Sequence, residues 1–316
     1  MLYKTAGIKM IYWRPMRLIH TEYPGRLQLV LTLILVPVAL HASVVMYGVT
    51  GGHASTPVSP NGSLVIVDQT TGAVTTVLDQ SGFPRLTGLG IEPNGTIFAT
   101  TLGGVPFPPG PGQSSTSDLL RLGTNGAVLS DIGTVKDAAG DAIAIADLAV
   151  QPGTGTLFAI SNEFGSVPPG DLFTINPANA TATLVGATGD FFGSIAFAPD
   201  GSLYLIAAAF NNGPAAPFVL TKISPITGAP IGTPVNLSDF YGAFGIRSTD
   251  GTFFVGNGDA GQIFTLNPAT GVATALPQMT GSSFVADLDF IPEPSTLLLT
   301  GLGIAALAMR GKRRRS

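Results

Sequence analysis

The sequence contains no cysteine among its 316 residues. Disulfide bonds, thiolate nucleophiles and thiolate-ligated zinc are therefore excluded. Histidine is almost as scarce, because His20 and His41 fall in an N-terminal leader and leave His53 as the only histidine between residues 43 and 291. A Ser-His-Asp triad could use only His53, which follows two glycines in a loop-like stretch, and a site built from several histidines cannot form there.

Charged residues are the next deficiency, at 11% of the chain against about 25% in an average soluble domain. Residues 43–291 are strongly acidic, because their basic residues are only Arg85, Arg121, Lys136, Lys222 and Arg247. An acidic surface repels nucleic acid, which requires a basic patch, so no nucleic-acid partner is predicted. The sequence also lacks a Walker A loop, a dinucleotide-binding fingerprint and a His-Glu-x-x-His motif.

What the chain does contain is a repeat. Short runs of alternating large and small residues are separated by turns such as Asn94-Gly95 and Asp200-Gly201, whose dipeptides favour tight β-hairpins. Each unit continues with three further strand-like runs. Four antiparallel strands every 45 to 60 residues or so are typical of a β-propeller blade. The first large residue of each unit is Leu89, Leu148, Ile195, Phe244 or Leu288.

The last copy of the repeat, Asp287 to Phe290, has a first strand and no second. The start of the body supplies what is missing, since residues 45–49, 64–68 and 73–78 match the second, third and fourth strands. Pairing the two chain ends in one blade would close the ring and remove its free edges. The sequence therefore predicts an all-β fold, a propeller of five four-stranded blades closed by N- and C-terminal strands.

In the innermost strands, the large residues should pack into the blades and the small residues should face the central axis. Asp147, Asp287 and Asp289 are exceptions among the small residues. Three carboxylates on one tunnel could bind Ca²⁺, which prefers oxygen ligands, and no other cofactor is predicted. The alternatives are a hydrated tunnel mouth, aspartates bonded to neighbouring backbone amides, or the acid and base of a hydrolase.

The connections at the two edges of the propeller should differ. Turns between first and second strands, and between third and fourth strands, are short and similar, whereas the remaining connections are long and dissimilar. A rigid scaffold with variable loops on one face is a common design for binding sites, and aromatic rings there would suit a polysaccharide or a matrix protein. The alternative is that most of these rings are tucked beneath their loops. The candidate ligand face comprises Phe83, Phe107, Phe164, Phe191, Phe192, Phe210, Phe240 and Tyr241.

The N-terminal leader has the form of a signal peptide. Arg26 precedes an apolar run over residues 27–40, which is too short to span a membrane comfortably. We predict cleavage near Ala42, and an uncleaved anchor is the alternative. The leader thus occupies residues 1–42, and the propeller domain residues 43–291.

The C-terminal tail, residues 292–316, has three parts in a fixed order. Pro292, Glu293 and Pro294 come first, an apolar segment from Leu297 to Met309 follows, and a basic end closes the chain. The basic residues are Arg310, Lys312, Arg313, Arg314 and Arg315.

This order resembles the PEP-CTERM sorting signal of Gram-negative bacteria. The resemblance implies processing by an exosortase-type enzyme, transient anchoring in the inner membrane through a transmembrane helix, and delivery to the cell surface or the extracellular matrix. The alternative for the tail is an ordinary C-terminal membrane anchor. Our functional hypothesis is a secreted binding or structural module associated with exopolysaccharide or biofilm, without catalysis. The alternative is an extracellular hydrolase or lactonase with a metal in its aspartate-lined tunnel.

Overall fold

A computed structural model of the chain describes residues 44–51, 62–78, 83, 85–103, 114–162, 165–191, 193–208, 218–257, 261–279 and 284–291. Every regular element within these ranges is a β-strand, and the strands form five sheets of four antiparallel strands each. The prediction of an all-β fold is confirmed.

Four of the five blades are continuous in the chain, with the strands in sequence order from the innermost to the outermost. Their strands alternate large and small side chains, which places one set on each face of the sheet. Blade one comprises β4 (Leu86–Ile91), β5 (Ile97–Thr101), β6 (Asp118–Leu122) and β7 (Val128–Thr134). Blade two comprises β8 (Ile145–Val150), β9 (Leu157–Ser161), β10 (Asp171–Asn176) and β11 (Thr181–Ala187). Blade three comprises β12 (Gly193–Phe197), β13 (Leu203–Ala208), β14 (Phe218–Ile223) and β15 (Pro230–Leu237). Blade four comprises β16 (Ala243–Ile246), β17 (Phe253–Asn257), β18 (Gln262–Leu266) and β19 (Ala273–Met279).

The fifth blade, here called the composite blade, joins the two ends of the propeller domain. Its innermost strand is β20 (Val285–Ile291), which pairs antiparallel with β1 (Val45–Thr50). The sheet continues outward through β2 (Leu64–Val67) and β3 (Val74–Leu78). This is the closure that the incomplete last repeat predicts.

The innermost strands meet around the central axis. Strand β4 contacts β8, β8 contacts β12, β12 contacts β16, β16 contacts β20, and β20 returns to β4. The sheets therefore form a closed ring of five blades, as predicted.

The hydrophobic core is a circle of five clusters, one between each pair of neighbouring blades. The large residue of each innermost strand packs against the preceding blade; for example, Leu148 lies with Phe98 and Leu119 of blade one. The small residues on the other face of each innermost strand lie close to the following blade and to the central axis. A Cβ atom at Gly88 would lie 2.7 Å from the backbone nitrogen of Leu148. Glycine at this position therefore allows two innermost strands to come together.

The two edges of the ring differ because connections in an antiparallel meander alternate between edges. One edge, here called the tight-turn edge, carries the connections from first to second and from third to fourth strands. Gly95 donates its N–H to the Glu92 carbonyl at 2.8 Å in one of these turns, and the Asn94 side chain accepts the Thr96 N–H at 2.8 Å. The opposite edge, here called the loop edge, carries all the other connections, including the stretches 102–117 and 135–144.

Candidate functional site

Three aspartates lie at the centre of the ring, where the sequence places them. We call Asp147 on β8, Asp287 on β20 and Asp289 on β20 the central aspartates. The side chains of Asp147 and Asp287 are completely buried. All three lie on the side of their strands that faces the following blade.

Each central aspartate joins two neighbouring innermost strands. Asp147 accepts the N–H of Leu148 in its own strand and the N–H of Ile195 in blade three, both at 2.7 Å. Asp287 accepts the N–H of Leu288 at 2.7 Å and that of Leu89 in blade one at 2.6 Å. The side chain thus bonds to backbone groups of two strands that have no ladder between them.

Asp289 repeats this arrangement one step further along β20. It accepts the N–H of Phe290 and the N–H of Ile91 in blade one, both at 2.7 Å. The composite blade is therefore attached to blade one by two aspartates, one above the other.

Asp147 and Asp287 also form a carboxyl pair, because each buried carboxyl affects the pKa of the other. Burial raises the pKa of both carboxyls well above the usual range, since the charged form loses its hydration. Two interacting carboxyls do not ionise independently, because the charge on the first opposes ionisation of the second. Burial also raises the pKa of Asp289 to about 7.

Two shorter polar side chains make comparable links at two of the three other blade boundaries, and the sequence does not single them out. Thr87 donates to the Ile145 carbonyl of blade two at 3.1 Å, and Ser194 donates to the Gly242 carbonyl at the start of blade four. Ser194 occupies the same repeat position as Asp147, so the repeat alignment contains a signal for it. Thr87 falls one residue before that position, so the repeat alignment does not point to it.

The central aspartates leave little space for a ligand. A cavity of about 30 Å³ lies beside Asp289 and Leu148 and is the size of a water site. Within the described ranges, no group of three or more His, Cys, Asp or Glu side chains has the arrangement of a metal site. Because both oxygens of each central aspartate already accept backbone N–H groups, the geometry corresponds to the alternative of amide-bonded aspartates. Calcium at this site stays a prediction.

The aromatic residues assigned to the ligand face divide into two groups. Phe107, Phe164, Phe192 and Phe210 lie outside the described residues. The other four are Phe83, Phe191, Phe240 and Tyr241.

Tyr241 is buried, which corresponds to the alternative that aromatic rings are tucked beneath their loops. Its side chain is only 2% exposed, because the ring packs edge-on against Phe264 with centroids 5.5 Å apart. Phe83, Phe191 and Phe240 are half-buried, and Phe240 leans on Phe218 at 5.3 Å.

A polar pair stands beside Phe240 on the loop edge. The Asn257 side chain donates to Asp239 at 2.5 Å, and Asp239 also accepts the N–H of Phe240 at 2.8 Å. Asp239 is exposed. The loop edge therefore presents a carboxylate, an amide and an aromatic ring within one small area between blades three and four.

The end of the fold coincides with the start of the sorting sequence. Strand β20 ends at Ile291, and Ile291 is paired with Val45, the first residue of β1. The two ends of the propeller domain thus lie side by side. Pro292 and all later residues, together with the leader, lie outside the described residues. Among the residues that the structure describes, none forms a helix that could cross a membrane.

Comparison with solved structures gives distant similarities. A protein of unknown function from Bacteroides caccae matches with a TM-score of 0.44 and 12% identity over 79% of this chain and 100% of that chain. A nidogen–laminin complex matches with a TM-score of 0.44 and 11% identity over 78% and 97% of the respective chains. The periplasmic gluconolactonase of Pseudomonas aeruginosa matches with a TM-score of 0.40 and 13% identity over 75% and 68%. Similarities this distant indicate no function, and no curated protein sequence matches the chain.

Residues 290–315 match the PEP-CTERM protein-sorting motif. The match includes Pro292, Glu293 and Pro294 and extends through the basic end to Arg315. Such a motif marks a protein for export, for transient membrane anchoring through its tail, and for exosortase processing. The chain is therefore an exported β-propeller protein with a PEP-CTERM sorting motif that begins in its last strand.

Proposed function

We propose that the processed protein is a binding or structural module of the cell surface or extracellular matrix, with exopolysaccharide as the ligand of its loop edge. The difference between the two edges carries this proposal. The tight-turn edge carries only short connections between the described strands, whereas the loop edge varies in length and sequence from one connection to the next. Variable loops on a rigid scaffold are where binding residues are usually found.

The described part of the loop edge supports a sugar ligand by its chemistry. Asp239 and Asn257 provide acceptors and donors for hydroxyl groups, and Phe240 provides an apolar ring beside them. Phe191 is half-buried in the connection between β11 and β12. A few fixed polar groups next to aromatic surface are typical of small-ligand sites.

Saturable binding of the secreted protein to polysaccharide extracted from the matrix of the producing cells tests the proposal. We expect a combined Asp239→Ala and Phe191→Ala variant to weaken binding at least roughly tenfold, a difference of about 1.4 kcal/mol. Asp200→Ala is the matched control, because Asp200 is also exposed and also accepts an N–H within its own turn, at 2.9 Å, but lies on the tight-turn edge.

Two outcomes contradict the ligand face. If the control weakens binding as much as the loop-edge variant, the two edges are equivalent for binding. If the unaltered protein does not bind polysaccharide, a structural role in the matrix without a small ligand is favoured.

The enzymatic alternative has one observation in its favour, the carboxyl pair of Asp147 and Asp287 at the centre of the ring, whose pKa values are raised by burial. A hydrolase or lactonase would use this pair with a bound metal. Against it, the nearby cavity of about 30 Å³ has the volume of a water site, which is too small for a sugar lactone. Lactone hydrolysis that requires calcium and is lost in Asp147→Asn would favour the alternative.

A further inference from the structure

We infer that the tight-turn edge faces the membrane, and the loop edge faces away from it, for as long as the sorting tail holds the protein there. This orientation of the anchored protein follows from the sorting motif and the strand directions. It does not depend on which ligand the loop edge takes.

The direction of β20 is the first step. The connection from β19 to β20 lies on the loop edge, so β20 enters the ring there and runs to the tight-turn edge, where it ends at Ile291. Strand β1 runs in the opposite direction and starts at Val45, beside Ile291. The junction with the tail and the junction with the leader are therefore neighbours on the tight-turn edge. Retention or removal of the leader does not change the edge at which the propeller is attached.

The length of the connection is the second step. Only residues 292–296 separate Ile291 from Leu297, the first residue of the apolar tail segment. Five residues span at most about 18 Å when fully extended. An innermost strand of six residues is itself about 20 Å long. To bring the loop edge to the membrane, the propeller would have to turn over, and residues 292–296 are too short to reach around it. The tight-turn edge is therefore the edge nearer the membrane.

The attachment of β20 is the third step. The strand is bonded to β1 along its length, and Asp287 and Asp289 bond it to Leu89 and Ile91 of blade one. Phe290, although it belongs to the matched motif, is 3% exposed and packs with Phe254. Residues up to Ile291 thus cannot lengthen the tether unless the ring opens.

The surface of the tight-turn edge is compatible with this approach. Ile226, in the turn between β14 and β15, is 83% exposed, and Val272, in the turn between β18 and β19, is 60% exposed. Exposed Asp200 and Asp250 lie on the same edge. These carboxylates keep the edge at the headgroup level, because a charged group does not enter the hydrocarbon region.

The absence of cysteine makes the inference directly testable. Single-cysteine variants Thr249→Cys on the tight-turn edge and Ala139→Cys on the loop edge replace exposed residues and each accept one thiol-linked fluorophore. The full chain is placed in phosphatidylcholine vesicles through its tail, with a fraction of the lipids carrying a quencher on the headgroup. Vesicles without quencher lipid are the reference, and quenching by iodide in detergent shows that both labels are accessible.

We expect the label at residue 249 to lose at least half of its fluorescence and the label at residue 139 to change little. Equal quenching of the two labels, stronger quenching at residue 139, or no quenching at either position would overturn the inference. Polysaccharide binding is measured separately on the secreted protein, so failure of the ligand proposal leaves this result unaffected, and the reverse also holds.

Discussion

Blade two and the composite blade each consist of one four-stranded antiparallel sheet, but their strands are held together differently. In blade two, chain connections join every strand to the next, whereas in the composite blade only hydrogen bonds and packing join β20 to β1. The innermost strand of blade two carries one central aspartate, and that of the composite blade carries two. The strand with two aspartates is the innermost strand that no chain connection joins to the rest of its sheet, and its aspartates bond it to blade one. This placement favours a role for the central aspartates in ring closure.

Truncation at the composite blade should have the largest effect. A chain ending at Ile291 keeps every strand of the described residues and should unfold cooperatively, like the full-length protein. A chain ending at Phe284 loses β20, exposes the edge of β1 and opens two core clusters. Because domain stability is only about 5–15 kcal/mol, we expect this chain not to fold. Thermal unfolding followed by circular dichroism checks this, and a cooperative transition in the shorter chain would contradict it.

Removal of the central aspartates should distinguish the two blades quantitatively. Asp147→Ala leaves two backbone N–H groups without their acceptor, and each such loss costs about 1–3 kcal/mol when the group is buried. The double variant Asp287→Ala with Asp289→Ala leaves four and should lose about twice as much stability. Urea unfolding measures both losses.

The asparagine variants at the same positions are the controls, since asparagine has nearly the size of aspartate and keeps one acceptor oxygen. If the single and double alanine variants lost equal stability, the second aspartate of the composite blade would have no role in closure.

Acidification should stabilise the ring. The native pKa of Asp289 is raised to about 7, and the pKa values of Asp147 and Asp287 are raised as well, whereas an unfolded aspartate has a pKa of about 3.9. Between these values the native state binds more protons than the unfolded state, so the free energy of unfolding falls as the pH rises.

We therefore expect a higher Tm at pH 5 than at pH 8, by several degrees, because about 1 kcal/mol corresponds to about 2–4 °C in a domain of this size. Asp289→Asn should reduce this pH dependence, and Asp147→Asn should reduce it through the carboxyl pair. An unchanged dependence in both variants would assign it to other groups.

The smallest effect should come from the turns between the third and fourth strands. In the composite blade this turn contains Gly72, with φ at +82° and a position where a Cβ would lie 2.9 Å from the Gln278 carbonyl of blade four. In blade two the equivalent turn contains Ala180 at φ 57°. We expect Gly72→Ala to lose about 1–2 kcal/mol, since the left-handed conformation disfavours a side chain.

Ala180→Gly should change stability by less than about 1 kcal/mol, because relief of the backbone conformation is offset by the greater freedom of glycine in the unfolded chain. Both effects can be read from thermal unfolding curves. A Gly72→Ala variant as stable as the original would show that the composite blade tolerates a shifted turn.

Much of the fold could be predicted from the sequence, because the turns and the alternation that specify it are local. Turns such as Asn94-Gly95 fix where a hairpin reverses, and the alternation around Leu89 fixes which side chains are buried. The incomplete repeat at Asp287 to Phe290 indicated that the N-terminal strands close the ring. The turns and the alternation need only neighbours within one hairpin, and the closure follows from counting the strands of the repeat.

The site was less predictable because its contacts join distant parts of the chain. The sequence placed the central aspartates in the tunnel, but it could not choose between a metal and the backbone N–H of Leu89, which is 198 residues away from Asp287. Similarly, Tyr241 has the sequence context of an exposed loop residue, but it is buried because its ring packs against Phe264 on β18.

The pairing of β1 with β20 has a consequence for the order of events during export. A chain that crosses a membrane from its N-terminus delivers β1, β2 and β3 first and β20 last. Strands β1, β2 and β3 therefore lack their innermost partner, β20, until the other four blades have been exported. Contacts between residues so distant in the chain form slowly. A chain that stops early never supplies that partner. The ring can close only after the chain has been exported as far as Ile291, the residue that precedes the sorting sequence Pro292-Glu293-Pro294.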